Sequence, residues 1–246
     1  MKPILFLYRL YPGEGCKSRP LFYSKELALK SFIEAYRAVD HDKRLIMVVD
    51  SNDLSKNMHE IVCGEAESTL FLGGIGNSNS YMKTLDYVES ADNVDYFYLS
   101  EDDYLYRPNA FLEFVDVMNS IVSPDYVTLY DHPHRYMGSD NRTYFYGEKI
   151  FVAGRHHWRT VESTCMTFGG RISALRADIG IHRSLSHNKQ NPRDRQIWYK
   201  TLGIGRYFWR FPKRLLIGPI PSLATHMEEK FLAPTVDWNY VSKKYS

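Results

Sequence analysis

Through the first half of the chain, short unbroken apolar runs alternate with stretches in which apolar residues recur every three or four positions. An unbroken run of strand length reads as a strand buried on both faces, and the three-and-four spacing reads as an amphipathic helix. Strands are therefore predicted at 4–8, 45–49, 69–72 and 96–99. Between them, Leu27, Phe32, Ala35, Tyr36 and Val39 mark a helix that Ser24 can cap, and a shorter helix is expected around 58–62. Tyr81, Leu85 and Val88 mark a third helix, opened by residues 77–80 after the glycines at 73, 74 and 76. Pro108 and Asn109 introduce a fourth over 110–121. Such alternation is the signature of an α/β fold with a parallel sheet. The second half is less regular, with strands expected at 126–130, 150–152 and 164–168 and a helix over 193–202. No repeat, low-complexity segment or linker interrupts the chain, so one domain is expected: a nucleotide-binding half over 1–107 and a more irregular half over 108–246.

In open α/β sheets, ligands bind outside the carboxyl ends of the strands. Asp50, the loop at 73–80 and the run Glu101-Asp102-Asp103 all fall at predicted strand ends, so they are expected to face one crevice. Composition restricts the partners. The 246 residues are 44% hydrophobic and 24% charged, ordinary for a chain that buries a full core. A formal net charge of +2 gives no global field toward nucleic acid, and none is expected as a partner. Cys16, Cys63 and Cys165 are far apart and show no CxxC pairing, which fits a reducing, cytoplasmic setting. The apolar start ends at Arg9 with no small-residue cleavage site, and no run approaches the ~20 apolar residues of a membrane span. The expectation is a soluble protein, or one peripheral at a membrane.

The acidic run is the centre of the chemistry. Three adjacent carboxylates repel one another, and a bound cation compensates them. A solvated acidic turn is the ordinary alternative, but this run closes a strongly apolar strand, whereas surface turns usually follow alternating segments. Moving a glycosyl group from a nucleoside diphosphate leaves two phosphates whose growing charge a carboxylate-held divalent ion stabilises. A neighbouring carboxylate can accept hydrogen bonds from ribose hydroxyls.

The stretch Tyr96-Phe97-Tyr98-Leu99-Ser100-Glu101-Asp102-Asp103-Tyr104 resembles the DXD-type motif of family 2-like GT-A glycosyltransferases, in the Glu-Asp-Asp variant of N-acetylglucosaminyltransferase I-like enzymes. Weaker likenesses are the opening strand and helix, Asp50 ending the second strand, Gly76-Asn77-Ser78-Asn79-Ser80, Asp194-Arg195 and Ala224-Thr225-His226-Met227. The resemblance implies a single GT-A domain, Rossmann-like with a mostly parallel central sheet flanked by helices. It implies a nucleotide-sugar donor bound by Tyr8, Arg9, Asp50, Asn77, Ser80, Glu101 and Asp102. Asp103 and His226 would hold Mn²⁺ or Mg²⁺, and Asp194 would be the catalytic base of an inverting transfer to a glycan or glycolipid acceptor bound by the second half. An imidazole ligand suits Mn²⁺ better than Mg²⁺. The family's Pro-x-Tyr-like first turn is replaced here by Tyr8-Arg9-Leu10-Tyr11-Pro12.

Each supporting residue also has an ordinary role. Asp50 can form a turn, Asn77 and Ser80 can cap a helix, and Asp194 can serve as a first-turn acid. The glycine loop fails the dinucleotide fingerprint because Asn79 stands at the third glycine position. Glu162 is a second candidate base. His132, His134, His156 and His157 lack zinc-site spacing and are read as acceptor-side or surface residues. Trp158, Tyr207, Trp209 and Trp238 are candidates for stacking on sugar rings. Arg206, Arg210, Lys213 and Arg214, mixed with aromatics, suit a phosphorylated lipid carrier or a membrane surface, or else a solvated rim. A metal-dependent hydrolase of phosphoesters or glycosides and a non-catalytic glycan-binding module stay open as alternatives.

Overall fold

A computed structural model of the chain describes residues 3–245 apart from Pro12, Glu14, Cys16, residues 137–147, Arg210 and Phe211. The readings placed on Pro12, Cys16 and Arg210 therefore lie outside the described residues. The first half folds as β1 (Ile4–Leu10), α1 (Lys25–Arg37), β2 (Lys43–Val49), α2 (Lys56–Val62), β3 (Ser68–Phe71), α3 (Asn77–Ser90), β4 (Tyr96–Glu101), β5 (Tyr104–Tyr106) and α4 (Ala110–Met118). The second half adds β6 (Tyr126–Val127), β7 (Ile150–Ala153), β8 (His156–Thr160), β9 (Phe168–Arg171), α5 (Ile172–Ser184), α6 (Asp194–Leu202), β10 (Leu216–Ile220), β11 (Ala224–His226) and α7 (Trp238–Ser242).

The expected α/β class holds. Among the described residues, nine strands make one sheet in the order β3-β2-β1-β4-β9-β6-β10-β8-β7. The β3-β2-β1-β4 portion is parallel. Beyond it, β9 runs antiparallel to both β4 and β6, β10 lies parallel to β6, and β8 and β7 finish the sheet antiparallel. Strand β9 can wedge between β4 and β6 because it carries Gly169 and Gly170. A Cβ on Gly169 would stand 2.7 Å from the Phe97 carbonyl oxygen, and one on Gly170 would stand 2.4 Å from that of Asp125. A separate antiparallel pair, β5 with β11, sets Tyr104 opposite His226.

Strand β1 is buried along its whole length, so its two faces serve two cores. Ile4, Phe6 and Tyr8 pack with Phe32, Tyr36 and Phe111 on the α1 and α4 side, and Leu5 and Leu7 pack with Tyr81, Leu85 and Leu175 on the α3 and α5 side. Each such fully buried side chain contributes about 1.5–3 kcal/mol of transfer free energy. Helix α1 starts where the Ser24 hydroxyl accepts the Leu27 amide at 3.0 Å, a cap worth about 1 kcal/mol. The predicted helix over 110–121 stops at Met118, and the predicted strand at 126–130 shortens because the Thr128 hydroxyl accepts the Tyr130 amide. Trp158 and Trp238 are core residues, donating their indole N–H groups to the Ala153 and Ala233 carbonyls, which corrects the expectation that they stack on sugar. Arg214 is committed to Asp178 at 2.8 Å and Asp125 at 3.3 Å, so it does not belong to a membrane-facing rim. No helix among the described residues is long and apolar enough to cross a membrane.

Candidate active site

The carboxyl ends of β1, β2 and β4 and the loop into α3 open onto a cleft of about 630 Å³. Seven of the predicted residues line it: Arg9, Asp50, Asn77, Ser80, Glu101, Asp102 and Asp103. Tyr8 does not. Strand alternation sends it to the α1 side, where it is fully buried 4.9 Å from the Phe32 ring, while its neighbour Arg9 points to α3 and the cleft. The placement of Tyr8 among donor contacts is corrected accordingly.

Asp50 ends β2 and fastens the glycine loop. Its two carboxylate oxygens accept the amides of Ile75 at 2.7 Å and Gly76 at 2.8 Å. The loop needs left-handed backbone at Gly73, Gly74 and Gly76, with φ of 71°, 79° and 87°, so that Gly76 caps α3 and Asn77 begins it. Arg9 then braces the start of α3 to the acidic run. One guanidinium nitrogen reaches the Asn77 carbonyl at 3.1 Å, the Asn77 side-chain oxygen at 3.0 Å and the Ser80 hydroxyl at 3.2 Å, and the other reaches Glu101 at 2.6 Å. The Asn77 side chain also donates to Asn191 at 2.9 Å, drawing residues 189–191 to the cleft wall.

Each carboxylate of the run has its own cation. Glu101, the last residue of β4, pairs with Arg9. Asp102 pairs with Lys25 at 3.0 Å and accepts the Tyr11 amide at 2.8 Å. Asp103 brings one oxygen, Oδ2, to Lys17 at 2.8 Å, His226 at 2.9 Å and Arg19 at 3.1 Å. Burial opposes ionisation of Asp103, but the pull of His226 and then Lys17 outweighs it and holds this carboxyl well below the usual range. Burial dominates at Asp102, helped by the charge of Asp103 and opposed by Lys25, and pushes it up to about 6. Burial also opposes the charge on Lys17, yet the Asp103 carboxylate raises its pKa. Among the described residues of the cleft wall, five Lys or Arg (Arg9, Lys17, Arg19, Lys25, Lys189) face four acids (Asp50, Glu101, Asp102, Asp103). The mutual repulsion expected of the acidic run is thus relieved by the chain's own cations. Lys17, Arg19 and Lys25 belong to no motif; the only signal in the sequence is that basic residues cluster just after β1.

His226 is brought to Asp103 by the β5-β11 pairing and is stacked between Tyr104, at 5.3 Å, and Phe231, at 6.1 Å. No three His, Cys, Asp or Glu side chains converge on one point among the described residues. Two do, Asp103 Oδ2 and His226 Nε2. The Lys17 ammonium lies 2.8 Å and 3.2 Å from them, so a positive charge already stands against this pair. Adjacent ligands of an octahedral ion at ~2.1 Å are ~3 Å apart, which matches the 2.9 Å between these two atoms. The pair fits an ion that takes one oxygen and one nitrogen from protein and its other ligands from phosphate and water.

Asp194 lies elsewhere, in a second hollow of about 170 Å³ that includes His132, His134, Glu162, Cys165 and Tyr199. It is the first residue of α6, accepts the Arg195 amide at 2.6 Å, and has its pKa raised by burial. Glu162, the second candidate, is held by Arg135. Burial and the neighbouring His134 and Arg135 push His132 down to about 3, so its ring is neutral. His156 is buried against Glu113 at 3.2 Å and belongs to neither hollow. The segment before β9 touches both walls: Thr167 accepts the Glu101 amide at 3.0 Å, and Cys165 lines the second hollow. One loop likewise sends residues 189–191 to the first hollow and Asp194 to the second.

No known protein-family model matches the chain, and no curated protein matches it. Solved structures similar to it include S. aureus TarS 1-349, at 12% identity and a TM-score of 0.46, covering 72% of this chain and 49% of that one. A second S. aureus TarS structure gives 9% identity and 0.49 over 80% of this chain and 33% of that one. The 4-diphosphocytidyl-2C-methyl-D-erythritolsynthase from Anaerococcus prevotii DSM 20548 gives 11% identity and 0.48 over 99% and 96%. The chain thus spans about half of the first TarS chain and a third of the second.

Proposed function

We propose that the chain is a GT-A-type glycosyltransferase that moves a sugar from a nucleoside-diphosphate sugar to a hydroxyl of a glycan or glycolipid, with inversion. The observation that carries this reading is the acidic run at the end of the central parallel strand β4, each carboxylate matched to a cation, facing a cleft that also contains the start of α3. The first turn of α3, with residues 77–79 on the cleft wall, and the surplus of Lys and Arg suit a diphosphate. Glu101 and Asp102 would accept hydrogen bonds from ribose hydroxyls. Asp103 and His226 would hold Mn²⁺ or Mg²⁺, which when bound supplies Lewis-acid stabilisation of the leaving diphosphate. The acceptor would enter the second hollow. There Asp194, its pKa raised by burial, would take the hydroxyl proton from the side away from the diphosphate, with Glu162 as the second candidate.

The test is a thermal-shift screen of nucleotide sugars with and without Mn²⁺, followed by turnover of the best ligand with and without acceptors. A donor at a hundred times its Kd adds about 2.7 kcal/mol, or roughly 5–10 °C for a domain of this size. Absence of any shift across uridine, guanosine and thymidine diphosphate sugars would overturn the reading. Turnover as fast with water as with any acceptor would identify a hydrolase, and binding without turnover would identify a glycan- or nucleotide-binding module.

A further inference from the structure

Two cations share the single oxygen Oδ2 of Asp103, and they are held very differently. Arg19 is fixed: its guanidinium donates to the Met227 carbonyl at 2.7 Å, lies 4.2 Å from the centre of the Tyr23 ring, and is mostly buried. Among the described residues, the Lys17 ammonium has only Asp103 and His226 as partners, and its side chain is 45% exposed. It stands on a segment with Gly13 and Gly15, and nothing lies within 4 Å of where a Cβ on Gly15 would sit. A lysine ammonium is a compact charge on a flexible four-carbon stem, able to leave one oxygen for another at little cost.

The structure assigns Lys17 a further role, which rests on the metal-assisted reading of the site. It is a resident counter-ion that occupies the divalent-cation position at Asp103 and His226, and the ion must displace it. The ammonium, 2.8 Å from Asp103 Oδ2 and 3.2 Å from His226 Nε2, stands against both atoms at once, on the side from which an ion bridging the two would meet it. Two cations about 3 Å apart repel each other even in water, and more strongly at a partly buried site. With only two protein ligands to offset this, the ion alone binds weakly. Asp103 stays neutralised while the cleft is empty, which removes the cost of an unpaired buried carboxylate.

The experiment titrates Mn²⁺ alone into the protein and reads free Mn²⁺ by electron paramagnetic resonance, with no donor or acceptor present. Lys17→Met keeps the stem and removes the charge, and because the side chain is half exposed the variant is expected to fold; circular dichroism checks this. Mn²⁺ affinity at least tenfold tighter in Lys17→Met than in wild type is expected, with the gain abolished in Lys17→Met/Asp103→Asn. Equal affinity in wild type and Lys17→Met overturns the assignment, as does absence of Mn²⁺ binding in both, or a gain that survives Asp103→Asn. The outcome is independent of turnover: a wild type that processes no nucleotide sugar refutes the transferase reading, while this titration still decides the place of Lys17.

Discussion

Replacing Arg9 with methionine tests whether this residue braces the cleft. The side chain is 6% exposed and makes four hydrogen bonds, three to the first turn of α3 and one, at 2.6 Å, to Glu101. Methionine fills most of the volume but leaves Glu101 without its cation and the Asn77 side-chain oxygen without its Arg9 donor, while the Asn77 carbonyl keeps the Ser80 hydroxyl at 3.2 Å. Removing one partner of a buried ion pair costs about 3–5 kcal/mol. Glu101 is 23% exposed and retains a contact to Thr167 at 3.3 Å, so water and that hydroxyl recover part of the cost, leaving about 2–4 kcal/mol. Urea unfolding of wild type, Arg9→Met, Glu101→Leu and the double variant measures it. The double variant should recover at least about 1 kcal/mol of the summed single losses, because both charges are gone together. A loss below about 1 kcal/mol in Arg9→Met, or strict additivity in the cycle, would refute the bracing role.

Asp194→Asn should lower kcat by about 100-fold or more with donor affinity unchanged, since the residue faces the second hollow; lost donor binding would remove it from the role of base, and Glu162→Gln serves as the comparison. His226→Ala should weaken the preference for Mn²⁺ over Mg²⁺ at saturating donor, and an unchanged ratio of the two activities would show that the ring does not ligate the ion. Asp102 titrates near 6 in the folded protein and near ~3.9 unfolded, so the folded state binds more protons between those values. Its protonation stabilises fully below about pH 4, and that contribution is lost as the pH rises through 6. Urea unfolding between pH 4 and 7 should show Asp102→Asn lacking this downward slope, and a slope identical to wild type would place the titration elsewhere.

Much of the frame is legible in the residues. The four apolar runs are β1 to β4: β1, β2 and β4 are largely buried because a strand covered by helices on both sides has no polar face, whereas β3 lies at the sheet edge and is only partly buried; Ser24 caps α1 as its position implies. Long-range pairing is not legible. Tyr104 to Tyr106 become a strand only because residues 224–226, far along the chain, lie beside them. The same pairing carries His226 to Asp103. Helix α5 is obscured by Asp178 and His182, polar residues on its buried side: Asp178 is paired with Arg214, and His182 lies 2.7 Å from the Tyr81 hydroxyl. Tyr8, a donor contact only by resemblance, belongs to the core by the strand period of two. The cations at Lys17, Arg19 and Lys25 escape a reading based on motifs, since nothing in their spacing shows which carboxylate each will meet.

The most direct measurement of the central claim is the rate at which wild type and Asp103→Asn release nucleoside diphosphate, in Mn²⁺ and acceptor, from the donor that gives the largest thermal shift. Circular dichroism and urea unfolding run alongside to confirm that the variant is folded. Asp103 meets three nitrogens, those of Lys17, His226 and Arg19, through a single oxygen, so losing its charge should lower the rate by about 100-fold or more. A well-folded Asp103→Asn protein that releases nucleoside diphosphate at close to the wild-type rate would contradict the account.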